Sequence, residues 1–161
     1  MRRLIRVLLL AVSVVVVVTT TGLTFSYQSA EYTAALDETT RAQIRLGLSD
    51  QATDIRAAAE PNLLFRAAID YVGEVTFDAH VGPETVITLK ENPQHKYYAG
   101  IANLDWRVGL SPLVPLALAL DGGAGDLRAD LSGLRLASLD VELDTGDTVI
   151  TLPQNAERLV A

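Results

Sequence analysis

Apolar residues at every second position recur in short blocks along most of this chain, and that pattern limits the possible folds more than any other feature. Ile44, Leu46 and Leu48 alternate with Arg45 and Gly47, and Ile55, Ala57 and Ala59 follow after a polar break. Val75, Phe77, Ala79 and Val81 alternate with Thr76, Asp78 and His80. Val86 and Thr88 carry the pattern on to a break at Lys90-Glu91-Asn92-Pro93. Leu116, Leu118 and Leu120, then Leu139, Val141 and Leu143, repeat it, and Val149 to Leu152 forms a last run closed by Pro153. Successive side chains of a strand point to opposite faces, so a period of two marks a strand with one buried face. The breaks are rich in Gly, Asp, Pro and Asn, as strand ends are. Ala34 to Ala59 has helix-friendly composition, but Ile44 to Ala59 reads better as two strands. No stretch after residue 31 has the pattern of a long amphipathic helix, so an all-β domain is expected.

Two of these blocks are related. Ile44-Arg45-Leu46-Gly47-Leu48 aligns with Leu116-Ala117-Leu118-Ala119-Leu120 at an offset of 72 residues, and the same offset sets Asp54-Ile55-Arg56-Ala57 on Asp126-Leu127-Arg128-Ala129. A shorter echo at 21 residues joins Gly125-Asp126 to Gly146-Asp147 and Leu131 to Leu152. Each unit is a strand–turn–strand that cannot bury its apolar face alone, and stacking such units makes a continuous core. The expected fold is therefore a short-strand, β-solenoid-like stacked sheet.

The N-terminus is of another kind. Val7 to Phe25 is 19 residues without a charge; Arg2, Arg3 and Arg6 precede it and no acid occurs before Glu31. That length fits a transmembrane helix, which satisfies its own backbone where lipid cannot. The arginine asymmetry places the N-terminus in the cytoplasm. An uncleaved signal anchor and a cleaved signal peptide both fit, although Gln28-Ser29-Ala30 is a poor cleavage site. Residues 1–30 are expected to be the anchor or signal peptide, 31–153 an extracytoplasmic β domain, and 154–161 a tail. The expected partner of residues 7–25 is the lipid bilayer.

Charge and composition narrow the functions. The chain of 161 residues carries a net charge of −7, and from Glu31 onward 20 acids face 10 bases. Such acidity disfavours nucleic acid, whose phosphates recruit Lys and Arg. With no cysteine, thiol chemistry and disulfides are excluded. His80 and His95 have no neighbouring ligand at metal-binding spacing. Asp140 and Glu142 share a strand face, where solvated charge explains them, and no Gly-x-Ser-x-Gly or Ser-x-x-Lys motif occurs.

Asp121-Gly122-Gly123-Ala124-Gly125-Asp126 is one residue short of a β-roll calcium turn, and Asp144-Thr145-Gly146-Asp147 lacks the glycine pair. Gly122, Gly123, Gly125, Asp126, Gly146 and Asp147 are therefore expected to build structural turns. Glycine would supply positive φ at Gly125, and Asp would bond the turn backbone. Trp106, the only tryptophan, is expected to plug an end of the stack, with a partner-binding role as the alternative. Tyr97 and Tyr98, in the segment Asn92 to Gly100, suit a partner surface as well as a cover for Trp106.

The run Leu104-Asp105-Trp106-Arg107-Val108-Gly109-Leu110-Ser111-Pro112, then Val114-Pro115-Leu116, Asp121 to Leu127, Asp130-Leu131-Ser132-Gly133-Leu134 and Thr145-Gly146-Asp147, resembles the toast-rack domain of bacterial membrane-associated proteins. Those proteins include the cell-wall-active antibiotic response family and adhesin-like β-solenoids. The motif-rich part spans Leu104 to Pro153, with a weaker likeness back to Gln43. The resemblance implies an envelope location and a β-solenoid-like sheet, and no catalytic residue, cofactor or metal ligand comes with it.

The expected function is that of a non-enzymatic, membrane-anchored envelope protein whose β domain binds or scaffolds an envelope protein or cell-wall component. An envelope-stress or adhesive system would use it, and no small-molecule ligand is expected. The alternatives are an exported hydrolase of cell-wall polymer with Asp126 and Asp147 as catalysts, and a calcium-dependent adhesive module.

Overall fold

The computed structural model describes residues 12–14, 27–57, 60–92 and 104–154. They form twelve strands: β1 (Val12–Val14), β2 (Tyr27–Ala35), β3 (Arg41–Gly47), β4 (Ala52–Ala57), β5 (Leu63–Val72), β6 (Glu74–His80), β7 (Glu84–Asn92), β8 (Asp105–Leu110), β9 (Pro115–Asp121), β10 (Leu127–Asp130), β11 (Arg135–Glu142) and β12 (Thr148–Thr151). No helix occurs among the described residues, so the all-β expectation holds there. Sheet A has the order β1-β2-β5-β8-β4-β10-β12, and sheet B the order β11-β9-β3-β7-β6.

Four rungs make the stack. In β3–β4, β9–β10 and β11–β12 a sheet B strand turns directly into a sheet A strand, and β7–β8 is the fourth pair. Neighbouring rungs pair in parallel in both sheets, in the spatial order β7–β8, β3–β4, β9–β10, β11–β12. This is the solenoid-like part. It does not extend to the whole domain: β5 runs antiparallel to β8 and β2, and β6 antiparallel to β7, so both sheets are mixed.

Alternation decides which side of each strand is buried. In β3, Ala42, Ile44 and Leu46 are buried while Arg41, Gln43 and Arg45 are exposed. Leu116, Leu118 and Leu120 repeat this in β9. Leu139 is buried and Val141 half-buried in β11, with Asp140 and Glu142 outward.

Several expectations need correction. The long repeat is real but slipped: Ile44 lies beside Leu118, not Leu116, and Thr53 beside Leu127, not Gly125. A two-residue slip leaves the same face inward, so alternation cannot detect it. The 21-residue echo matches the register, with Leu127 beside Thr148 and Ala129 beside Ile150. In β7 the inward residues are Thr85, Ile87, Leu89 and Glu91; Val86 points outward, and Lys90 to Asn92 continues the strand instead of breaking it. Val81 lies beyond β6 and is exposed, and Val149 points outward from β12.

The expected span at residues 7–25 lies outside the described residues apart from Val12–Val14. Those three form a strand antiparallel to Ser29, Ala30 and Glu31, not a helix. Among the described residues no helix is long and apolar enough to cross a membrane. The tail from residue 155 also lies outside them. β2 begins at Tyr27, so the expected domain boundary at residue 30 falls within a strand.

Candidate functional site

The glycine turns join one rung to the next. The segment after β9 stacks on the segment after β3: Leu48 N–H donates to the Asp121 carbonyl (2.8 Å), and Ala124 N–H to Ser49 (3.1 Å). Gly122 N–H donates to the Glu142 carbonyl (2.8 Å), and Leu127 N–H to Asp147 (2.9 Å), which continues the ladder to the last rung. A Cβ on Gly125 would stand 2.1 Å from the Gln51 carbonyl oxygen, and one on Gly146 2.4 Å from that of Gly125. Gly125 is therefore required by close backbone approach, since its φ is not positive; Gly146 has both the close approach and a φ of 113°. Gly122 and Gly123 do take positive φ.

Asp126 Oδ1 accepts the Asp147 N–H at 3.2 Å, so this carboxylate binds the next turn's backbone. Among the described residues no three His, Cys, Asp or Glu are grouped to hold a metal ion.

A polar group lies buried where β7 ends and β3 turns into β4. Gln51 Nε2, Thr53 Oγ1, Glu91 Oε2 and Trp106 Nε1 are buried without a hydrogen-bond partner among the described residues. Thr53 stands directly across from Trp106 on β8. Burial raises the Glu91 carboxyl above the usual range, opposed by the Val72 backbone and by the Gln51 and Ser49 side chains. Gln51 is near enough to favour the charged form, yet its Nε2 closes no bond of proper geometry. Trp106 is fully buried and presents nothing to a partner. Tyr97 and Tyr98 lie outside the described residues.

Two shallow depressions mark the outer faces. One of about 530 Å³ on sheet A is lined by Ser29, Glu31, Asp70, Asp105 and Arg107. The other, about 330 Å³ on sheet B, is lined by Arg45, Lys90, Asp121, Asp140 and Glu142. In the first, Ser29 Oγ already donates to Asp70.

The two ends of the stack differ. At the β2 end Tyr32, Phe65 and Phe77 gather between the sheets, with ring centroids 4.9 Å apart for Tyr32–Phe77 and 5.9 Å for Phe65–Phe77. At the other end β11 and β12 have no strand on their outer sides among the described residues. The inward residues Leu136, Val141, Ile150 and Leu152 are half-buried there, whereas Leu116, Leu120, Ala129 and Leu131 one rung below are fully buried. Val149 is 61% exposed. Sequence patterning could not single out this end, because its residues alternate as those of the inner rungs do.

Parallel rungs shared between two mixed sheets and joined by a ladder of glycine turns define a stacked, solenoid-like β fold. The chain belongs to the family described as the N-terminal domain of toast_rack, DUF2154, which matches residues 25–160. A crystal structure of a Clostridium sporogenes ATCC 15579 protein, assigned provisionally to cell adhesion, is similar with a TM-score of 0.68 at 16% identity, over 82% of this chain and 64% of that one. A protein of Bacteroides fragilis NCTC 9343, assigned provisionally as an adhesin, has a TM-score of 0.43 at 12% identity, over 76% and 61%. The chain thus spans less than two thirds of either protein. No curated protein sequence matches it.

Proposed function

We propose that this chain is a membrane-anchored, non-enzymatic envelope protein whose β domain binds or scaffolds an envelope protein or wall component. The observation that carries the reading is the order along the chain. Three arginines and 19 uncharged residues lead, one residue later, into the first long strand of a stack. Residues 7–25 would span the bilayer as a helix with the N-terminus in the cytoplasm, and residues 12–14 would then leave the edge of sheet A. The domain outside would present broad sheet faces and an open end. Apart from the inward Glu91, the acids of the described residues lie at the surface or in turns, as Asp126 does with the Asp147 N–H. The family's fold and the adhesion assignment of the Clostridium protein agree with a binding role.

Protease added to intact spheroplasts should digest the β domain while a cytoplasmic marker survives. A fully protected domain would overturn the topology. Purified cell wall and membranes should retain the solubilised chain on sedimentation. Full recovery in the supernatant from both would remove the binding half of the proposal.

A further inference from the structure

We propose that the buried polar group at the turn between β3 and β4 encloses one ordered water molecule. The water accepts from Trp106 Nε1–H and Gln51 Nε2–H, and donates to Thr53 Oγ1 and Glu91 Oε2. All four atoms are buried without a hydrogen-bond partner among the described residues. An orphaned polar atom in a core is costly, and four at one place point to a guest that pairs with them.

The fold brings these side chains together from three strands and a turn. Thr53 and Trp106 stand across from each other in the β4–β8 pair, both inward. Gln51 precedes Thr53 by two residues, and two steps of extended chain return to the same face about 7 Å away. Glu91, the last inward residue of β7, comes near enough to the Gln51 and Ser49 side chains for both to favour its charged form. Exposure is 5% for Gln51, 4% for Thr53, 5% for Glu91 and 0% for Trp106, so the guest is enclosed and small.

The chemistry of the four atoms selects that guest. An indole N–H only donates, and a charged carboxylate only accepts. A cation would meet the Trp106 N–H, and an anion would meet the Glu91 carboxylate. Turning the Gln51 amide over changes one donor into an acceptor and leaves this conflict in place. Water both donates and accepts, and buried waters make about two to four bonds to such groups. The site also has a place in the stack. Later turns are joined through their backbones, as Leu127 N–H is to Asp147. Between β7–β8 and β3–β4, the Ala52 N–H bond to Leu104 is joined inside by the water. It ties Glu91 and Trp106 of one rung to Gln51 and Thr53 of the next.

The inference is independent of the membrane reading, and its test is made on the full chain in mild detergent. Trp106 is the only tryptophan, so its indole N–H gives a single resonance. A water-selective nuclear Overhauser experiment should show a cross-peak at that proton, with the sign of a water bound for longer than molecular tumbling. Thr53→Val and Glu91→Gln should each keep the cross-peak, because at least three partners remain. A signal relayed by exchange through the hydroxyl or the carboxyl would vanish in one of them. No water cross-peak in the wild type, or its loss in either variant, overturns the proposal. Stability gives a second reading. A hydroxyl bonded to a held water contributes to stability, whereas an unpaired one is improved by an apolar replacement of similar shape. Thr53→Val should therefore lower the melting temperature by about 2–4 °C. An unchanged or higher melting temperature would show that the hydroxyl is unpaired, and overturns the proposal.

Discussion

At the β2 end of the stack, Phe65 and Tyr32 from sheet A meet Phe77 from sheet B, and antiparallel strands flank the parallel rungs. At the β11–β12 end the same interior column stops on Leu136, Val141, Ile150 and Leu152, each with part of its surface in water. The aliphatic alternation is common to both. What differs is the cap: closing a stack of rungs takes side chains large enough to fill the gap between two sheets, and strands that leave the repeat. The repeat alone builds length and leaves an end that can accept more strand.

The contrast predicts unequal costs of truncation. Phe65→Ala should cost about 3–5 kcal/mol, read as a drop in denaturation midpoint, because the ring is fully buried between its neighbours. Leu118→Ala, in an inner rung, should cost about 2–5 kcal/mol. Ile150→Ala at the open end should cost clearly less than either, since its surroundings are partly water. Equal losses at Ile150 and Phe65 would mean that the open end is covered.

The turn ladder sharpens the point. Gly125→Ala should cost about 2–3 kcal/mol, because its Cβ would press on the Gln51 carbonyl. Gly82→Ala should stay within about 0.5 kcal/mol, as a Cβ there meets open space. Asp126→Asn should be equally mild, since an amide oxygen can still accept the Asp147 N–H.

A smaller effect depends on pH. The folded state holds the Glu91 carboxyl above the ordinary glutamate value of 4.5, because burial disfavours its charge, so it binds more protons than the unfolded chain above that pH. Stability then falls as pH rises from about 4.5 through the raised folded value, and the penalty is complete above it. Glu91→Gln should flatten this part of the stability profile between acid and neutral pH. An unaltered slope would show that the carboxylate is compensated within the fold.

Much of the architecture was legible in the alternation. Ile44, Leu46, Leu116, Leu118 and Leu139 were placed inward, and Asp140 and Glu142 outward, because a half-buried strand writes its faces into the sequence. β5 was not legible: Leu64 and Phe65 are both buried in succession, and Ala67 and Ala68 give alternation no contrast. The inward Glu91 reads as a break for the same reason, since a polar residue at a core position mimics a loop. The turns fall where Gly and Asp cluster in the sequence, but the reason for Gly125 lies in a carbonyl of a distant turn, and local pattern carries no record of that. The half-burial of β11 and β12 was invisible for a like reason, because these strands share one pattern with the inner rungs and differ only in what lies beside them among the described residues.

The order of the rungs in space has a consequence for how the chain reaches this state. Rung β3–β4 is made early, yet it sits between β7–β8 and β9–β10, which lie far later in sequence. Ile44 cannot meet Leu118 until most of the domain has been synthesised. Both edges of the early rung therefore wait uncovered. Assembly is limited by long-range chain closure, in the slow class of β proteins that fold in about milliseconds to seconds. A polypeptide that emerges N-terminus first would spend that interval with adhesive edges exposed, so it has reason to be held unfolded until its last third has appeared.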